Sequence, residues 1–336
     1  MASSRTAAYL LLALAALLMA CSGRLGARRL ADQPYASRPL PDQARIFLIA
    51  GGVDVANFAE EVVRQRSYWR AAGVPDEAIA CYYAKPTLAA YHEDAQQYRA
   101  ITRALADCYP ARAGLIRAHL ALASRRDLPY LYLYISSHGR PQLVARDVAE
   151  SLDVLSAGEV DLLDQYFLQM GADPGYGVDA SAIVNAARRG EDPDDLLLTP
   201  ASLGRALARF APQLPKIVVL QGCHSGGFLN DQANAAAAQM TALRNLTVIA
   251  AARHDRTSFG CDPGARMTYF GLIFLRLLLE HAGPQTPTSI PWPGLFDQLA
   301  AEVHAIELRQ EVTPSEPVFF STAATGRSAC ALPCGR

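Results

Sequence analysis

Leu128–Gly139 reads LPYLYLYISSHG, and Lys216–Gly227 reads KIVVLQGCHSGG. Each is a short continuous apolar run that stops at a polar, glycine-containing turn. Runs of this length without alternation are the pattern of strands buried on both faces, as in a parallel sheet. One run delivers His138 and the other Cys223, each with a glycine beside it. Sites in open parallel sheets form at the carboxyl ends of the strands. The two turns are therefore expected to present an imidazole and a thiol side by side.

Outward from these runs the same grammar repeats. Residues 45–52 (RIFLIAGG), 78–83 (AIACYY) and 245–252 (NLTVIAAA) read as further buried strands, and 317–321 (PVFFS) as a closing one. Helical spacing covers 57–72, 91–107, 111–125, 203–210, 269–279 and 295–308. Thr199-Pro200-Ala201-Ser202 supplies an N-cap with proline in the first turn before the helix at 203. Alternation of strands with helices predicts a mostly parallel sheet covered on both faces. Residues 146–195, polar and acidic, read as an insertion carrying one or two helices.

The chain has 336 residues, 51% of them hydrophobic and 19% charged, with a formal net charge of -1. That is enough to bury a full core in one large domain or two small ones. Without a basic block it carries no signal for nucleic acid or for an electrostatically held membrane surface. Residues 1–20 combine a short positive start with a run of apolar residues too short to span a bilayer, as in a signal peptide. Leu18-Met19-Ala20-Cys21 resembles the bacterial lipobox. This resemblance implies a chain that begins at Cys21, carries acyl chains there, and faces the periplasm or exterior from the bacterial cell envelope. The alternative is an ordinary secretory signal cleaved after Ala20. Residues 21–44 then form a polar, proline-bearing linker, 45–325 the domain and 326–336 a tail.

Of the 7 cysteines, Cys81 with Cys108 and Cys330 with Cys334 are candidate disulfide pairs in an exported chain, although sequence alone leaves connectivity open. No His/Cys group has zinc-site spacing, so no metal and no cofactor is expected.

An imidazole can take the proton of a nearby thiol, and cysteine is the strongest nucleophile among the side chains. His138 and Cys223 therefore make a base and nucleophile, with the backbone N–H groups of Gly139 and Cys223 as oxyanion donors. A Ser/Cys hydrolase elbow does not fit: it needs Gly two residues before the nucleophile, and Gln221 stands there. His224, adjacent to the nucleophile, reads as a turn residue.

RIFLIAGG, GVPDEAIACYY, strand-Ser-His-Gly, KIVVLQGCHSGGF and VIAAARHDRTSFGCDPGARMTYFG together resemble the legumain family of cysteine peptidases, its bacterial branch above all, across most of 45–321. The clan also holds caspases, metacaspases and the catalytic subunit of the GPI transamidase. The resemblance implies a caspase-like three-layer α/β/α sandwich with a mostly parallel sheet of about six strands, and a His138–Cys223 dyad that cleaves peptide bonds through a thioester. Its substrate would be a protein or peptide. It further implies that Gln221, Ala252, Arg253 and Ser258 contribute to the primary substrate pocket, with Arg253 facing an acidic substrate side chain or solvent, and Asp262 lining the pocket or holding its loop. This chain departs from legumains at three places. Ser137 replaces an acidic residue before the His, Gln221 replaces a Glu and matches the caspase Gln, and Gly52-Val53-Asp54 stands in place of an Arg-His pair. Asp54 is the nearest candidate to orient His138. Two other readings use the same sequence: a transpeptidase or transamidase with the same dyad, and a non-catalytic scaffold.

Overall fold

The computed structural model describes residues 39–142, 195–261, 265–280 and 286–323, together with 155–156, 160–161, 163–171, 184–185, 188–190 and 192. The signal peptide, Cys21, most of the linker, Asp262, the Cys330–Cys334 pair and the tail from 326 lie outside these residues. Among the described residues no helix is long and apolar enough to cross a membrane.

The buried runs become strands β1 (Ile46–Ala50), β2 (Ile79–Tyr83), β4 (Leu131–Ser136), β8 (Lys216–Gln221) and β9 (Leu246–Ala250). The short β3 (Tyr109–Pro110) and β10 (Val318–Ser321) complete a seven-stranded sheet of order β10-β9-β8-β4-β1-β2-β3. Every pairing is parallel except β10 with β9. Seven strands stand where about six are expected. The extra one, β3, is two residues long and its sequence, Tyr-Pro, shows no strand pattern.

Helices lie on both faces: α1 (Asn57–Ala71), α2 (Ala95–Ala104), α3 (Ala113–Ala123), α4 (Pro200–Leu207), α5 (Ala238–Thr241), α6 (Tyr269–Glu280) and α7 (Trp292–Arg309). Alternation along the strands assigns each face its partners. Tyr132 and Tyr134 of β4 join Phe58 and Trp69 of α1 with Phe274 of α6 and Leu299 of α7. Leu131, Leu133 and Ile135 join Ile116 of α3 and Leu203 of α4. Each large apolar side chain so buried contributes roughly 1.5–3 kcal/mol. The result is the three-layer α/β/α sandwich expected from the sequence.

The helix expected over 91–107 starts only at Ala95, because Asp94 caps it by accepting from the backbone N–H groups of Gln96 and Gln97. Thr199 and Ser202 form a reciprocal cap at α4 with Pro200 in the first turn. Cys81 of β2 is disulfide-bonded to Cys108 just before β3. The segment read as an insertion with one or two helices has helical residues at 160–161, 163, 184–185 and 188, and it also supplies a strand. β6 (Phe167–Gln169) pairs antiparallel with both β5 (Gly139–Arg140) and β7 (Leu197–Leu198). This small sheet begins at the residue after His138.

Candidate active site

β4 and β8 are neighbours in register, Ser136 opposite Gln221. Their last residues are joined on both sides by backbone bonds: Gly51 N–H donates to Ser136 O (2.9 Å) and Ser137 N–H to Gln221 O (3.0 Å). β1, β4 and β8 therefore end at one level. His138 and Cys223 each follow two residues beyond their strands.

Three groups fix His138. Its carbonyl accepts the Gln169 N–H at 2.9 Å, which ties it to the small sheet. The Phe58 ring stands edge-on to the imidazole at 4.9 Å. Both carboxylate oxygens of Asp54 lie 2.9 Å from its Nε2. Gly52 makes room for this packing, since a Cβ there would lie 2.7 Å from the Phe58 ring and 3.3 Å from His138 Cδ2. Burial raises the Asp54 carboxyl, but its hydrogen bond to His138 and the imidazole's charge outweigh that and leave it below its ordinary value.

Gly139 and Cys223 are pressed together. A Cβ on Gly139 would collide with the Cys223 carbonyl oxygen and lie 3.2 Å from the Cys223 nitrogen. Only a glycine allows the two turns to approach so closely. The two N–H groups expected to act as oxyanion donors thus belong to backbone segments in direct contact.

The thiol lies against the loop after β9. Cys223 Sγ accepts the Ser258 N–H at 3.3 Å and donates toward Ser258 O at 3.5 Å. Burial pushes this thiol up, more than the N–H groups of Ser258 and Cys223 and the charge of Arg140 draw it down. His224 sits in the left-handed region at φ 56, as suits a turn residue. Its Nδ1 is 2.9 Å from His254 O, and its N–H donates to Arg256 O at 2.8 Å. Burial lowers the His224 pKa below its ordinary value.

The expected pocket residues fare differently. Ser258 reaches Cys223 through its backbone. Gln221 and Ala252 are both fully buried, and Gln221 is hydrogen-bonded to Ser136. Neither offers open surface. The Arg253 guanidinium is taken up by Asp255 and Glu316, and the Arg253 backbone N–H donates to Ser315 O at 2.8 Å. Its charge is therefore met within the protein.

Sequence reasoning overlooked Glu61. This carboxyl is wholly buried and accepts from Tyr134, Ser136 and Thr268. The signal was present: Glu61 falls on the stripe of Phe58, Val62, Gln65 and Trp69, where a charged residue has no place unless something pairs with it.

A buried, mostly parallel sheet between helical layers, with a His and a Cys turn at one edge of adjacent strands, is the class this chain belongs to by construction. Among solved structures it is similar to caspase-1 from Spodoptera frugiperda, at 12% identity and a TM-score of 0.41, covering 87% of this chain and 91% of that one. It is also similar to a Geobacter sulfurreducens protein solved as a structural-genomics target, at 9% identity and a TM-score of 0.45, covering 83% and 93%. Neither likeness carries weight for what the chain does. No protein-family model matches the chain, and no curated protein matches it.

Proposed function

We propose that this chain is a cysteine peptidase of the legumain/caspase type, with Cys223 as nucleophile and His138 as base. The observation that carries the reading is the junction of the two turns: His138 held by Asp54 on one, Cys223 on the other, and Gly139 locking their backbones together. Asp54 engages Nε2, which fixes the tautomer protonated there and leaves Nδ1 as the acceptor for the thiol proton. Cys223 Sγ then attacks the substrate carbonyl carbon while His138 holds the proton. The oxyanion is met by the N–H groups of Gly139 and Cys223. Collapse breaks the C–N bond, the proton passes from His138 to the leaving amine, and water resolves the thioester by the same steps in reverse order.

A soluble form starting after Cys21, compared with its Cys223→Ala twin on fluorogenic peptides varied at the residue before the cut, tests this. Cleavage of one peptide class, lost in the twin, supports the reading. No Cys223-dependent cleavage of any peptide leaves the fold as a binding scaffold. Release of an amine-capped product on adding a free amine distinguishes a transamidase.

We also infer export and acylation at Cys21. The Cys81–Cys108 bond supports an oxidising compartment. Metabolic labelling with an alkyne fatty acid, retained by the wild type and lost in Cys21→Ser, is the expected result. Labelling of both would sink it.

A further inference from the structure

Three polar side chains link α1 to the residue two before Cys223. Glu61 Oε1 accepts the Thr268 backbone N–H at 2.9 Å and its hydroxyl at 2.7 Å. Thr268 Oγ1 itself accepts the Gly271 N–H at 2.9 Å, so its proton is free to face Glu61. Glu61 Oε2 accepts the Tyr134 hydroxyl at 2.8 Å and lies 2.6 Å from Ser136 Oγ. Ser136 Oγ in turn lies 3.1 Å from the Gln221 side-chain amide. With Oε1 of Gln221 turned toward Ser136, its Nε2 is buried without a partner.

Counting protons decides between the two faces of that amide. A serine hydroxyl has one proton, and here it faces two candidate acceptors. The 2.6 Å contact to Glu61 has the length of a charge-assisted O–H···O⁻ bond, so the proton lies there. Two oxygens would then confront each other at 3.1 Å with no proton between them. A half-turn of the amide removes the conflict: Nε2–H donates to Ser136 Oγ, and Oε1 becomes the buried atom without a partner. Burial raises Glu61 above its ordinary value, and its four donors offset part of that shift.

We propose that Glu61 is a positioning residue which, through Ser136, turns Gln221 so that its free atom is the carbonyl oxygen, and that the primary pocket therefore selects substrate side chains that donate hydrogen bonds over those bearing a carboxylate. The proposal rests on the peptidase reading and on Gln221 belonging to that pocket. A buried polar atom without a partner is expensive, which is why such atoms in native structures mark places where something else completes the bond. An amide, ammonium or guanidinium N–H completes a carbonyl oxygen. A carboxylate sets lone pair against lone pair. Gln221 is fully buried, so reaching it requires that a neighbouring segment move, which the proposal assigns to the 253–260 loop, in contact with Cys223 through Ser258.

The test compares kcat/KM at pH 7 for peptides differing only before the cut: Asn or Lys against Asp. The wild type is expected to favour the donors at least about tenfold, a modest share of what sites built to hydrogen-bond one group achieve. Glu61→Gln occupies the same space, and its amide nitrogen, placed toward Ser136, donates to it. Ser136 then donates to Gln221 Oε1, Nε2 becomes the free atom, and the preference moves about tenfold or more toward Asp. Ser136→Ala cuts the relay and brings the ratio toward one. A wild type that prefers Asp overturns the proposal, as do variants that lower all substrates equally with the ratio unmoved. If no peptide is cut in a Cys223-dependent way, the peptidase reading falls, and the relay is judged by hydrogen exchange of the Gln221 side-chain amide. Protection in the wild type that is lost in Ser136→Ala supports it, and fast exchange in both overturns it.

Discussion

Asp54 holds His138 with both carboxylate oxygens 2.9 Å from Nε2, and it reaches the ring from the loop after β1 rather than from the strand that carries the histidine. The imidazole is thus steered by a residue 84 positions away in sequence. Asp54→Asn keeps the size but no longer favours the tautomer with a proton on Nε2. The expected result is a kcat lower by roughly 10- to 100-fold with little change in KM, a part of the contribution of a positioned base. A kcat within twofold of wild type would mean that Asp54 is a bystander.

Gly139 offers a sharper steric test. Gly139→Ala drives a Cβ into the Cys223 carbonyl oxygen, backbone against backbone, so the two turns must part. Loss of one oxyanion donor costs about 10²–10³ in kcat, and at least that fall is expected together with a lower Tm. Gly294→Ala in α7 is the control, since a Cβ there meets nothing within 4 Å. It should leave activity unchanged and raise stability by about 0.5–1 kcal/mol. Equal activity in both variants would remove the reason for placing the oxyanion hole at this junction.

Much of this arrangement was legible in the residues. LYLYIS and KIVVLQ are apolar on both faces, and only a buried parallel strand suits that pattern, so the order His138 then Cys223 implied a shared sheet edge. Asp54 was visible only as the nearest acidic residue, because its contact to His138 depends on how the 51–56 turn folds. β6 was hidden: three residues, Phe167–Gln169, are too few to show a period, and what makes them a strand is Gly139 beside them. Glu61 was missed because helical spacing assigns faces, not partners, and its partners Tyr134, Ser136 and Thr268 come from β4 and the start of α6.

Glu61 also makes a prediction about stability. Burial sets its folded-state pKa above the ordinary 4.5. The folded protein then holds a proton that the unfolded chain has released, so this contribution is complete below about pH 4.5 and is lost as pH rises through the folded-state value. Glu61→Gln has no such titration. The Tm of wild type minus that of the variant should be highest below pH 4.5 and fall as pH rises above it, other groups cancelling in the difference. A flat difference, or one that grows with pH, would show that the four donors outweigh burial.

The thiol points to a resting state that is not an ion pair. Burial raises Cys223 above its ordinary value of 9.0, and its close contacts are to the Ser258 backbone. Only the thiolate is alkylated, so iodoacetamide should react slowly at pH 7, with a rate that climbs about tenfold per pH unit up to and beyond pH 9. Asp54→Asn should leave that profile unchanged, because His138 would act on the thiol only after a substrate displaces the 253–260 loop. Ser258→Pro removes the N–H that Sγ accepts and loosens the same loop, so it should speed alkylation at neutral pH by exposing the sulfur. A plateau reached below pH 7 in the wild type would instead mean that His138 already holds the thiol proton at rest. In that case base catalysis precedes substrate binding, and the loop would gate access without controlling the nucleophile.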